Sequence, residues 1–198
     1  MQFRLTYEGK LQASSRTFQR AGHKHDLRKR FHEQLKRLWK LHPGLKMLGA
    51  SGVLKYSFAE YAPMVSWLAE HYERRGYAFV PLVREASRVY CSLDILMLRP
   101  DVPGTLVRSG DLDNRVKTVV DALRIPSEQE LSKCEPPDAS ELPFFCLLEE
   151  DKLISRLAVE ADTILDPVPE SAHPENDVRL LITVDIKPYV LQSGNMHF

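Results

Sequence analysis

The stretch SGDLDNRVKTVVDAL, residues 109–123, sets Asp111 and Asp113 two apart, follows them with Asn114, and places Lys117 and Asp121 at successive four-residue steps from Asp113. A second acidic group, Glu149, Glu150 and Asp151, interrupts the apolar run LLEEDKLI. Two unit charges about 4 Å apart repel by roughly 4 kcal/mol at an effective dielectric of 20, so carboxylates that meet need protons or a cation. Oxygen ligands without His or Cys favour Mg²⁺ or Mn²⁺, which hold phosphate oxygens while keeping several waters. Such a cation activates water and stabilises in-line displacement at phosphorus, and Lys117 is placed to neutralise phosphate charge. If the two acidic groups meet, metal-dependent phosphodiester hydrolysis is the expected chemistry.

The same residues also have a plain structural account. Carboxylates favour the positive end of a helix, an Asp113–Lys117 pair is worth about 0.3–0.5 kcal/mol, and acidic residues at a strand edge discourage aggregation. Over Leu112–Arg124, at about 100° per residue, Leu112, Val116, Val119, Val120 and Leu123 form one helical stripe. Asp113, Lys117, Asp121 and Arg124 form another. Packing is thus met without a charged residue. Asp111, just after the turn dipeptide Ser109-Gly110, belongs at the helix boundary as its N-cap.

The elements that must hold these groups follow from periodicity. Residues 3–9 alternate Phe3, Leu5 and Tyr7 with polar neighbours, a half-buried strand. A polar, basic loop leads to a helix capped by Asp26, with Leu27, Phe31, Leu35 and Leu38 inward and Pro43-Gly44 as the stop. A second helical region is expected from Ser57 and Glu60, restarting at Pro63 and ending at Gly76, with Val65, Leu68, Ala69 and Tyr72 inward. Val89, Cys91, Leu93, Ile95 and Met97 mark a strand before the acidic helix. Residues 126–143 read as a long acidic loop or ill-ordered insert, and strands begin at Leu153 and Val178. The order predicts an α+β domain, a mixed β-sheet with helices packed on one face, its last two strands forming an antiparallel pair.

A chain of 198 residues with 43% hydrophobic content suits a single domain, 1–198. It has no long uncharged apolar run and no signal-peptide pattern, so a soluble, cytoplasmic protein with no membrane partner is expected. Three cysteines without a CxxC are expected to be reduced thiols. The net charge of zero conceals segregation: residues 1–48 carry twelve basic against three acidic residues, and residues 127–177 carry three against fourteen. A basic face able to meet phosphates is compatible with that neutral sum.

DLDNRVKTVVDAL followed downstream by EEDKLI resembles the RusA family of crossover junction endodeoxyribonucleases, the Holliday junction resolvases. That family shows Asp-x-Asp-Asn, a lysine three residues after the Asn, Asp-Ala-Leu closing the helix, and an acidic pair before a strand. The resemblance implies a RusA-like α+β homodimer acting on DNA, branched DNA in particular. It implies that Asp111, Asp113 and Asp151 bind Mg²⁺, with Glu150 first in the acidic pair, and that Lys117 is the catalytic lysine. Relative to the family, residues 49–86 and 127–142 are insertions. Arg16, Arg20, Lys24, Arg28 and Lys29 are the expected contacts to backbone phosphates. Two other functions remain open: a RusA-like module that binds nucleic acid or protein without cleaving, and a fold whose carboxylates only cap and solvate.

Overall fold

The computed structural model describes residues 1–12, 21–54, 61–100, 111–165, 176–191, 195–196 and 198, and only the backbone of 21, 52–54, 61–62 and 111. Arg16, Arg20, Ser57 and Glu60 lie outside these residues. In chain order the elements are β1 (Gln2–Lys10), α1 (Ala21–Leu41), α2 (Pro43–Ala50), β2 (Gly52–Leu54), β3 (Tyr61–Pro63), α3 (Met64–His71), β4 (Glu73–Arg74), β5 (Tyr77–Val83), β6 (Val89–Arg99), α4 (Asp111–Leu123), α5 (Glu128–Leu131), β7 (Phe144–Leu148), β8 (Ile154–Thr163) and β9 (Asp177–Pro188). Short 3₁₀ turns precede β6, β7 and β8.

The protein is a mixed α+β fold. Its main sheet has the order β1-β9-β6-β8, antiparallel except for the parallel β6–β8 pair. A second sheet, β4-β5-β7, pairs β5 with β7 in parallel, and β2 and β3 form a small antiparallel ribbon. The terminal strands β8 and β9 are not neighbours as expected, because β9 runs between β1 and β6 while β8 flanks β6 on its other side. The crossover through α4 makes β8 parallel to β6, since a helix returns the chain to the end of the sheet where β6 began.

Alternation in β6 holds throughout, with Val89, Cys91, Leu93, Ile95 and Met97 all buried. Together with Leu180, Ile182, Val184 and Ile186 of β9 they form the floor of the core, on which Leu27, Phe31 and Leu35 of α1 and Val119 and Leu123 of α4 pack. Each such side chain contributes about 1.5–3 kcal/mol by leaving water. Helix α1 touches β7 as well as β1, so its far side is also covered: Arg28, His32 and Trp39 are buried there, and the His32 ring stacks on Phe144 with centroids 4.4 Å apart.

Several boundaries differ from expectation. Helix α1 begins at Ala21, leaving Asp26 exposed in its second turn, and Pro43 starts α2 at its first position under a His42 cap. Helix α3 stops at His71, and Gly76, at φ +81°, turns the β4–β5 hairpin. The missed strands YAFVPLV and FFCLL carry no alternation because both faces are covered, as parallel strands usually are. The acidic stretch is an ordered packing element with two capping boxes, and Glu130 and Glu141 within it are buried. No helix among the described residues is long and apolar enough to cross a membrane.

Candidate functional site

Helix α4 divides its charges into two sets. Val119, Ala122 and Leu123 are buried, and Leu112 and Val116 pack partly against the core. Arg115, also buried, donates to the Leu11 carbonyl and, at 3.2 Å, to Asn176 Oδ1. Thr118 donates to the Gln12 carbonyl at 3.1 Å. These contacts anchor the start of α4 where β1 ends and β9 begins, the same end at which β6 and β8 finish. Sequence reasoning overlooked Arg115 and Thr118. Their spacing of three, on the shoulder of the apolar stripe, was the available signal.

Asp113, Asn114 and Lys117 are exposed at this end, and no side-chain hydrogen bond or ion pair joins Asp113 or Lys117 to another described residue. The carboxylate and ammonium stand four residues apart on one face, beyond the carboxyl ends of the parallel strands β6 and β8. The Asp111 backbone opens the helix, and its side chain lies outside the described residues.

The second set is structural. Asp121 is buried and accepts from Lys24 Nζ at 2.5 Å, while its other oxygen meets Arg124 Nη2 at 3.1 Å. Arg28 Nη2 donates to the Asp121 carbonyl at 2.9 Å and to Glu130 Oε1 at 3.1 Å. Burial alone would raise the Glu130 carboxyl, but Arg28, the Ser127 N–H, Arg124 and Lys24 hold it below the ordinary glutamate value. Lys29 Nζ lies 2.7 Å from Glu141 Oε1.

Lys24, Arg28 and Lys29, expected to contact phosphates, are therefore engaged within the chain. The acidic segment after α4 folds over α1 and supplies the anions that nucleic acid was expected to supply, and Arg28 is only 1% exposed. Arg30, Arg37 and Lys40 remain exposed on α1.

The acidic triplet lies elsewhere. Glu149 accepts from the Glu85 N–H at 3.0 Å, and Glu150 shares Lys152 with Glu85 at 3.1 and 2.8 Å. Asp151, exposed, opens the 3₁₀ turn that enters β8 at Ile154, opposite Cys91 at the start of β6. From Cys91 to Arg99 the sheet spans eight residues, about 26 Å at the usual strand rise. Within one chain, Asp113 and Asp151 thus stand at opposite ends of the β6–β8 pair. The cause is the parallel crossover, in which α4 runs back along the sheet before β8 begins. Among the described residues no group of three or more His, Cys, Asp or Glu is gathered closely enough to hold a metal ion.

His25, in the expected loop GHKHD, is instead a buried helical residue whose Nε2 lies 3.0 Å from the Tyr77 hydroxyl. Burial, then Arg28 and Lys29, pull its pKa down to about 4. Burial pushes the Cys91 thiol up to about 12, and Cys91, Cys134 and Cys146 are all free. In comparisons with known proteins, the chain matches no family model, no curated protein and no solved structure.

Proposed function

We propose that the chain is a structure-selective DNA endonuclease resembling the RusA Holliday junction resolvases, working as a homodimer with Mg²⁺ or Mn²⁺. The observation that supports this is the split within α4: Asp121, Arg124, Arg115 and Thr118 are consumed by packing, whereas Asp113 and Lys117 are left exposed without a described partner. Evenly spread structural charges would not divide so cleanly. Lys117 is suited to hold a phosphate oxygen, and Asp111 and Asp113 are the acidic residues beside it.

Cleavage by the full set of residues needs two copies, because Glu150 and Asp151 lie at the other end of the sheet. In a two-fold dimer each chain's acidic turn is available to the other's helix start. DNA contacts fall to residues outside the internal ion-pair network, among them exposed Arg37 and Lys40.

A second reading, a binding module without cleavage, is favoured by the separation of Asp113 from Asp151. Nicking of a labelled four-way junction, beside linear duplex and single strand, with and without Mg²⁺ or Mn²⁺, decides between them. Metal-dependent cleavage of the junction, lost in Asp113→Asn, is expected. Junction binding without nicking by either cation would establish the module instead.

A further inference from the structure

Strand β8 ends the main sheet, and among the described residues no strand pairs with its outer edge. It is ten residues long and contains no Pro, so it lacks two of the features by which natural proteins blunt a free edge, and its register shift against β6, at Cys91/Ser92, falls before Arg156. Leu157 is 44% exposed although its register with buried Leu93 puts it on the core side of the sheet. Val159, aligned with Ile95 on the same side, is only half-buried.

We propose that a second copy of the chain covers this edge, β8 pairing antiparallel with the partner's β8 about a two-fold axis through Ala158. In that register Arg156 stands opposite the partner's Glu160, and Leu157 opposite the partner's Val159, each contact occurring twice by symmetry. Moving the register by one residue sets Leu157 against Glu160 or Arg156 against Val159 and loses the charge match. Moving it to an axis through Val159 opposes Arg156 with Asp162 but sets Ala158 against Glu160. The strand is therefore self-complementary about Ala158. Arg156 already meets Asp94 at 2.7 Å on the exposed face, and its guanidinium has donors to spare for a second carboxylate. The product is a continuous eight-stranded sheet with both β8 edges closed. This interface rests on strand geometry and charge, and stands whether or not the chain cleaves DNA.

Disulfide trapping in a Cys134→Ser background tests it. Residues facing each other across a two-fold axis in an antiparallel pair have Cα atoms about 4.5–5.5 Å apart, within disulfide range. Ala158→Cys is expected to form a covalent dimer on mild oxidation. Val159→Cys, which faces Leu157 and lies diagonal to its own copy, is expected to remain uncrosslinked. Sedimentation is expected to show the wild type as a dimer and Glu160→Arg weakened about tenfold or more. Trapping at Val159 but not Ala158 would overturn the register. A wild type that sediments as a monomer, or a Glu160→Arg variant that dimerises as tightly as the wild type, would overturn the interface. Nuclease failure with Ala158 trapping intact would count against the proposed function alone.

Discussion

Arg28 of α1 donates to Glu130 of the acidic segment at 3.1 Å, with both side chains out of solvent. That contact joins the most basic part of the chain to the most acidic. The charge segregation along the sequence is thus in part neutralised within the fold, where α1 meets the acidic segment. Its basic residues thereby divide into a buried set that stabilises the fold and an exposed set free to meet other molecules.

Glu130→Gln leaves Arg28 buried without its counter-charge. Removing one partner of a buried pair costs about 3–5 kcal/mol, and urea unfolding of the variant is expected to show a loss in that range. Replacing Arg28 and Glu130 together by Met and Leu is expected to recover most of it, because no unpaired charge is then left inside. Lys29→Ala, at the partly exposed Lys29–Glu141 pair, is expected to cost under about 1 kcal/mol.

Acid should loosen the same region in a defined window. The folded pKa of His25 is about 4, below its ordinary value of 6.5, so the folded chain holds the imidazole neutral. Above pH 6.5 neither state binds the proton and the stability is fully present. Between 6.5 and about 4 the unfolded chain takes up a proton that the folded chain refuses, so stability falls, levelling off below about 4. For this group the loss is on the order of 3 kcal/mol. His32 is shifted in the same direction by burial and adds to the slope. Unfolding free energies measured across this range should flatten in His25→Gln; an unchanged slope would rule His25 out as the cause.

Two aspartates of one helix should behave oppositely. Asp113→Asn removes an exposed carboxylate with no described partner, and is expected to leave stability within about 0.5 kcal/mol while abolishing metal-dependent nicking. Asp121→Asn weakens the contacts to Lys24 and Arg124 and is expected to cost about 2 kcal/mol, with activity in the remaining folded protein retained. Equal destabilisation by both would show that Asp113 is a structural residue.

Legibility of the sequence followed the asymmetry of each element's surroundings. Strand β6 and the apolar stripe of α4 have one covered face, and their alternation or helical period shows it. Strands β5 and β7 are covered on both faces and give no period, so they passed unseen. The acidic segment looked like a solvated loop because composition cannot register that Glu130 and Glu141 have cations waiting on α1. The order of β8 and β9 was misjudged for a similar reason. Strand pairing is decided by the crossover, and nearness in sequence does not encode it.

The placement of Asp113 and Asp151 at opposite ends of the sheet yields a test that separates a shared site from a local one. If both serve one centre, they come from different chains, and Asp113→Asn and Asp151→Asn are each inactive alone. A heterodimer of the two variants then holds one site lacking both aspartates and one site with both intact. Random reassociation makes half the dimers mixed, each with one of two sites working, so junction nicking is expected to return to about a quarter of the wild-type rate. Mixing is read against each variant alone at the same total concentration. If Asp151→Asn by itself cleaves at the wild-type rate, Asp151 belongs to the turn before β8 and not to the chemistry. If the mixture stays inactive while the wild type cleaves, no site is shared between chains, and the carboxylates that act with Asp113 come from its own.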